Sequence, residues 1–234
     1  MAGRGLPPLT TVAVTCLPRV LSTNIGSARP RKDPKNAPTG IDKRPVEVLE
    51  VFDPGPRRIE DGAAVSGVAG DHVGDGRFHG GSDRAVYAYS REELDLWAEA
   101  LGRELPNGHF GENLTTIDLD VDAAEVGDRW HVGSAVLEVR WARQPCATFG
   151  EWMGEPGWVK RFMDHGRTGA LLSVIVPGEI RAEDRIEVLP SGSGITLPIV
   201  LLGKLGDRDL AQQVVDAEVY TGYRLQQFLD VLQR

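Results

Sequence analysis

Residues 126–146 read VGDRWHVGSAVLEVRWARQPC. VGDRWHVG and SAVLEVRW each alternate apolar and polar positions, and Gly133 and Ser134 stand between them, a pattern that predicts two antiparallel strands joined by a tight turn. The same pattern continues outward. Downstream, TGALLSVIVPGEIRAEDRIEVL (168–189) predicts two more strands around a turn at Pro177 and Gly178. Upstream, short strands are predicted from 113, at 85–89, in PVEVLEVF (45–52) and in TTVAVTCL (10–17), which holds Cys16 as a half-buried strand residue. Helices are fewer. Ser90 and Glu93 form an S-x-x-E capping box before Leu94, Trp97 and Leu101 at helical spacing, and 155–165 reads as helical, with Pro156 in its first turn and Gly166 past its end. Many short strands without regular βα alternation predict a mainly β unit, a barrel or folded-over sheet with peripheral helices, and exclude a doubly wound fold.

After this unit, assigned to 1–205, a helical C-terminal extension is assigned to 206–234: from Asp207, DLAQQVVDAEVY and YRLQQFLDVLQR read as two helices separated by Gly222. Its apolar periodicity suits packing on the β unit or a homodimer contact equally. The chain has 234 residues and a formal charge of −8, which disfavours nucleic acid and anionic lipid as partners, so any anionic ligand must meet a local basic cluster. No apolar run approaches the roughly 20 residues of a membrane span. Pro7, Pro8 and Pro18 around the first apolar stretch spoil a signal-peptide reading, and a cytoplasmic location is expected. The segment 26–45, rich in Pro, Gly and charge, reads as an exposed, mobile connection.

Two cysteines are too few for a disulfide framework or an iron–sulfur site. The five histidines show neither HExxH nor HxH spacing, and no P-loop or GxSxG elbow is present. Four segments combine glycine freedom with reactive side chains. In FHGGSDRAV (78–86), Gly80 and Gly81 beside His79, Asp83 and Arg84 read either as a tight turn or as a backbone cradle for an oxygen-rich ligand. In HFGENL (109–114), Gly111, Glu112 and Asn113 read as an Asx turn or as a hydrogen-bonding group. TGIDKRPV (39–46) supplies Lys43 and Arg44. RQPC (143–146) places Cys146 just past a strand end behind Pro145, with Arg143 positioned to favour thiolate; the alternative is a buried, inert cysteine.

Taken in order, TGIDKRPV, FHGGSDRAVYAYSREELDLW, FGENLTT, VGDRWHVGSAVLEVRWARQPC and TGALLSVIVPGEI resemble the MOSC domain family, in its stand-alone bacterial form, over about residues 10–190. The resemblance implies a MOSC-type β-barrel, with Cys146 as the residue that binds the molybdenum of the molybdenum cofactor (molybdopterin) or carries sulfur for it. It implies a cofactor site drawing on Lys43, Arg44, His79, Gly80, Gly81, Arg84, Gly111, Glu112 and Arg143, with Asn113 and Asp83 beside Cys146 as catalytic candidates. The expected activity is reduction of small N-hydroxylated molecules with electrons from a separate reductase. The alternatives are a sulfur carrier or cofactor-delivery protein fed by a pyridoxal-phosphate-dependent desulfurase, and a cofactor-free binding pocket.

Overall fold

The computed structural model describes residues 17–33 and 35–234. Within them lie strands β1 (Arg19–Gly26), β2 (Lys43–Val46), β3 (Leu49–Val51), β4 (Ile59–Glu60), β5 (Ala63–Ala64), β6 (Val86–Ser90), β7 (Leu114–Ile117), β8 (Arg129–Val132), β9 (Ala135–Ala142), β10 (Ala170–Val176), β11 (Gly178–Ile180) and β12 (Ile186–Leu189). The helices are α1 (Arg91–Leu101), α2 (Ala147–Met153), α3 (Trp158–His165), α4 (Leu197–Leu205), α5 (Arg208–Asp216) and α6 (Gly222–Leu232).

The hairpin that opens the sequence argument is β8–β9, with Val132 facing Ala135 across the turn. Gly133 has φ +56°, and a Cβ there would lie 2.2 Å from the Glu179 carbonyl oxygen, so the turn requires glycine. Eight strands form one sheet in the order β12-β8-β9-β10-β6-β7-β1-β2. The β6–β7 pair is parallel and the other pairs are antiparallel. An isolated bridge from Arg19 to Arg185, with Val20 N–H donating to Asp184 O at 2.9 Å, curls the start of β1 onto the residues before β12. The mainly β content and peripheral helices are present. The ladder of described strands runs from β12 to β2 as a curled sheet, and Ile186 N–H of β12 donates to Pro18 O at 2.9 Å beside the start of β1.

Two cores flank this sheet. One joins Trp130, Leu137, Trp141 and Leu172 of the strands to Leu197, Val200, Ala211 and Phe228 of α4–α6. The other is aromatic: Tyr89, Trp97, Phe110, Phe149, Trp158 and Phe162 pack between the sheet and α1–α3, with Cys146 against them. The C-terminal helices therefore pack on the sheet.

Several boundaries differ from expectation for identifiable reasons. PVEVLEVF splits, because β2 pairs with β1 while β3 turns away to pair with β11. The stretch 168–189 makes three strands, since the chain leaves the main sheet at Pro177 to form β11. Pro156 precedes α3, with Gly157 at its N-cap. In the capping box only Ser90 acts: its hydroxyl accepts from Glu93 N–H, while the Glu93 carboxylate turns to His165 and Arg167. The expected strand at 10–17, with Cys16, lies outside the described residues apart from Leu17.

Candidate active site

Cys146 stands where β9 has ended and α2 has not begun, in extended backbone at φ −118° and ψ 171° as the N-cap residue. Burial alone raises its pKa. Against that act the neighbouring His79 ring, the Arg143 charge and the Phe149 backbone N–H, which together bring the thiol down to about 6. Cys146 is therefore a thiolate at neutral pH. Arg143 is held flat by aromatic faces, its guanidinium carbon 3.9 Å from the Phe149 ring centroid and 5.1 Å from that of Tyr87.

Cys146 opens onto a cavity of about 200 Å³. Of the residues singled out in the sequence, Lys43, His79, Gly80, Arg84, Gly111, Asn113 and Arg143 line it with Cys146. Gly80 has φ +80°, a conformation that favours glycine, and a Cβ there would press within 3.0 Å of Val65 O. Asn113 is fully engaged: its Oδ1 accepts from Tyr87 N–H at 3.2 Å, and its Nδ2 donates to Asn24 O at 3.2 Å and to Asp71 Oδ2 at 3.1 Å. It clamps β6, β1 and the loop at 71 together. Lys43 and Asp71 form an ion pair with side chains only 6% and 2% exposed, and Asp71 also accepts from Gly26 N–H at 2.7 Å. Lys43 thus reaches the cavity with its charge already compensated.

Four candidates are not brought to the cavity wall. Asp83 pairs with Arg224 at 2.9 Å and Arg140 at 3.4 Å, towards the C-terminal helices. The Arg44 side chain is 62% exposed and pairs with Asp42 at 2.9 Å. Gly81 turns the chain into the short 3-10 segment Ser82–Arg84. Glu112 is wholly buried and accepts from Gly108 N–H at 2.6 Å, Phe110 N–H at 2.9 Å and Thr115 Oγ1 at 3.0 Å. Burial pushes its pKa up against these bonds, and it braces the 108–112 loop.

Arg31, Asp71 and His72, which the sequence reading did not single out as site residues, also stand in the wall. The connection 26–45 is not simply exposed. Its Arg31 bonds Glu151 of α2 at 2.6 Å, which draws the loop across the cavity. Gly40 passes so close to the 72 backbone that a Cβ would sit 1.9 Å from His72 O. GDHVGDG (70–76) carried a signal only in its glycine density, which marks any tight loop. Two nitrogens at this wall, Arg143 Nη1 and His72 Nε2, are buried without a hydrogen-bond partner. Among the described residues no group of three or more His, Cys, Asp or Glu could hold a metal on its own.

Fold and site together define a mainly β protein that presents one thiolate to a cavity walled by cations and unpaired donors. The MOSC domain model matches residues 75–187. The protein YflK of Bacillus subtilis strain 168 is 33% identical over 178 residues, 74% of each chain. The chain belongs to the MOSC domain family. The crystal structure of YiiM from Geobacillus stearothermophilus shares the fold, with a TM-score of 0.71 at 23% identity over 92% of this chain and 99% of that one. A protein of Gibberella moniliformis named "Reductase" is 33% identical over 132 residues, 54% of this chain and 23% of its own length.

Proposed function

We propose that this chain binds a molybdenum–pterin cofactor (molybdopterin) through Cys146 and reduces N-hydroxylated compounds to amines with electrons from a separate reductase. The observation that carries this reading is the Cys146 thiolate on a cavity where the buried donor Arg143 Nη1 and the His72 Nε2 nitrogen lack partners. Those residues fit the cofactor. A single protein thiolate suffices for a metal whose remaining soft ligands are the cofactor's own dithiolene sulfurs. Buried N–H donors without protein acceptors suit a phosphate and the polar edges of a pterin. When bound, the cofactor would supply two-electron reduction at the N–O bond.

The chain's own part is orientation. His79 holds the Cys146 sulfur as thiolate. Phe149 and Tyr87 keep the Arg143 guanidinium in place, and the Lys43–Asp71–Asn113 network fixes the opposite wall. The reaction R–NHOH + 2e⁻ + 2H⁺ → R–NH₂ + H₂O needs two protons, and the His79 ring is the titratable group beside the thiolate that can hand one on. Membership of the MOSC family and the Gibberella relative named a reductase support the reading.

The test is molybdenum content, by elemental mass spectrometry, of wild type and Cys146→Ser protein from a host that makes the cofactor. Near-stoichiometric metal in wild type that is lost in the variant supports the proposal. Absence of metal from both overturns it, and a persulfide on Cys146 would then indicate a sulfur carrier supplied by a desulfurase.

A further inference from the structure

Beside the cavity stands a group of cations that the proposed chemistry does not use. Arg84 and Gln144 line the cavity. Lys204 of α4 donates from Nζ to Gln144 Oε1 at 2.7 Å, and its Nζ lies 5.3 Å from the Trp141 ring centroid. Arg224 of α6 lies over the same ring at 4.3 Å. The carboxylate of this corner, Asp83, is already held by Arg224 and Arg140. Arg84 spends one N–H on the Phe78 carbonyl. Among the described residues, neither Arg84 nor Lys204 meets a carboxylate within 4.0 Å.

Crowding of like charge at a half-buried place is costly unless an anion joins it. Its strain shows in both groups. Burial, then Arg84 and Arg224, push the Lys204 pKa down to about 8. Burial, then Arg224 and Arg57, lower that of Arg84. The cluster stands on a chain of net charge −8, against the average of its surface. Because Lys204 occupies the Gln144 amide oxygen, the amide NH₂ remains to donate. The cavity wall therefore offers the Arg84 guanidinium and the Gln144 amide, with the Lys204 ammonium held at the oxygen of that amide. One cation would suffice for a carboxylate. Two, one of them a planar fork, match a phosphate dianion.

We propose that Arg84, Lys204 and Gln144 form a phosphate subsite, and that the cavity's substrate is a phosphomonoester whose phosphate rests there while its N-hydroxyl end faces Cys146. The reacting end rests on the reductase reading; the phosphate end rests on the cations alone. Lys204 and Arg224 come from α4 and α6, which lie outside the 75–187 segment matched by the MOSC model, so the C-terminal helices would add substrate choice to a shared site.

The experiment is calorimetric titration of inorganic phosphate into the full chain, cofactor-free and molybdenum-loaded, as wild type, Lys204→Met and Lys204→Arg. Phosphate should bind both forms of the wild type, at least tenfold more weakly to Lys204→Met, and close to wild-type strength to Lys204→Arg, with molybdenum content equal in all three. Equal affinity in wild type and Lys204→Met overturns the subsite. If cofactor loading blocks phosphate and Lys204→Met loses molybdenum, the corner serves the cofactor's own phosphate and the substrate assignment falls. Phosphate binding that depends on Lys204, in a chain without reductase activity, upholds the subsite while removing the reductase reading.

Discussion

The Cys146 sulfur is half-buried, and burial by itself would keep it a neutral thiol; the neighbouring His79 ring, the Arg143 charge and the Phe149 backbone N–H reverse that outcome. Because reactivity follows thiolate, iodoacetamide should alkylate Cys146 in the cofactor-free protein with a midpoint near pH 6 instead of the ordinary 9.0. Replacing His79 by Phe removes one of the three and should move that midpoint up, as mass spectrometry of the modified peptide would record; an unmoved midpoint means that Arg143 and Phe149 suffice. The Lys43–Asp71 pair sets a different stake. Asp71→Ala leaves a buried ammonium and the Gly26 N–H without their acceptor, so urea unfolding should show a loss of about 3–5 kcal/mol, more than surface ion pairs yield. Cys146 and Arg143 were legible because a strand end, a proline and a cation adjoin in four letters. Asp71 was not, because its role depends on Lys43 and Asn113, which lie far away in sequence.

At the scale of elements, local signals were legible wherever one residue had one local partner. Ser90 caps α1 by accepting from Glu93 N–H at 3.2 Å, three residues on, and both residues stood in the pattern. Ser90→Ala should cost about 1 kcal/mol and Ser90→Gly only a few tenths, measured by chemical denaturation. The second half of the capping box was misleading, since Glu93 is drawn to His165 and Arg167 on the far side of the aromatic core. Helix α4 shows the converse problem. LPIVLLGKL is apolar almost throughout, because it is packed between β9 and the pair α5–α6, and a helix buried on several sides carries no amphipathic period to read. Helix α2 is short, contains Gly150 and has no side-chain cap, so ATFGEWM offered no start signal. β2 and β3 merged in the reading because alternation tells which face a residue takes and says nothing about which sheet.

For the molecule as a whole, the buried Asp122 and the half-buried His109 set opposite dependences of stability on pH. Asp122 is buried, with Oδ1 accepting from Gly169 N–H and Oδ2 unpartnered; burial lifts its pKa from 3.8 to about 6, against the pull of that bond and of Arg167. The folded state then holds a proton that the unfolded chain releases, so this group's contribution to stability falls as pH rises from about 4 to 6. His109 does the reverse. Burial first, then the Arg103 charge, lower its pKa from 6.5 to about 4, and its Nε2 has no acceptor, so the unfolded chain binds the proton more readily and stability rises with pH across nearly the same window. At about 1.4 kcal/mol per pKa unit the Asp122 dependence amounts to something on the order of 3 kcal/mol, and that of the half-buried His109, screened by solvent, is smaller and of opposite sign. Substitution separates them. The stability of Asp122→Asn relative to wild type should increase between pH 4 and 6, whereas that of His109→Gln should decrease between pH 4 and 6.5. Urea midpoints across that range measure both, and a flat relative profile for either variant would show that its group titrates in the folded protein as it does in the unfolded chain.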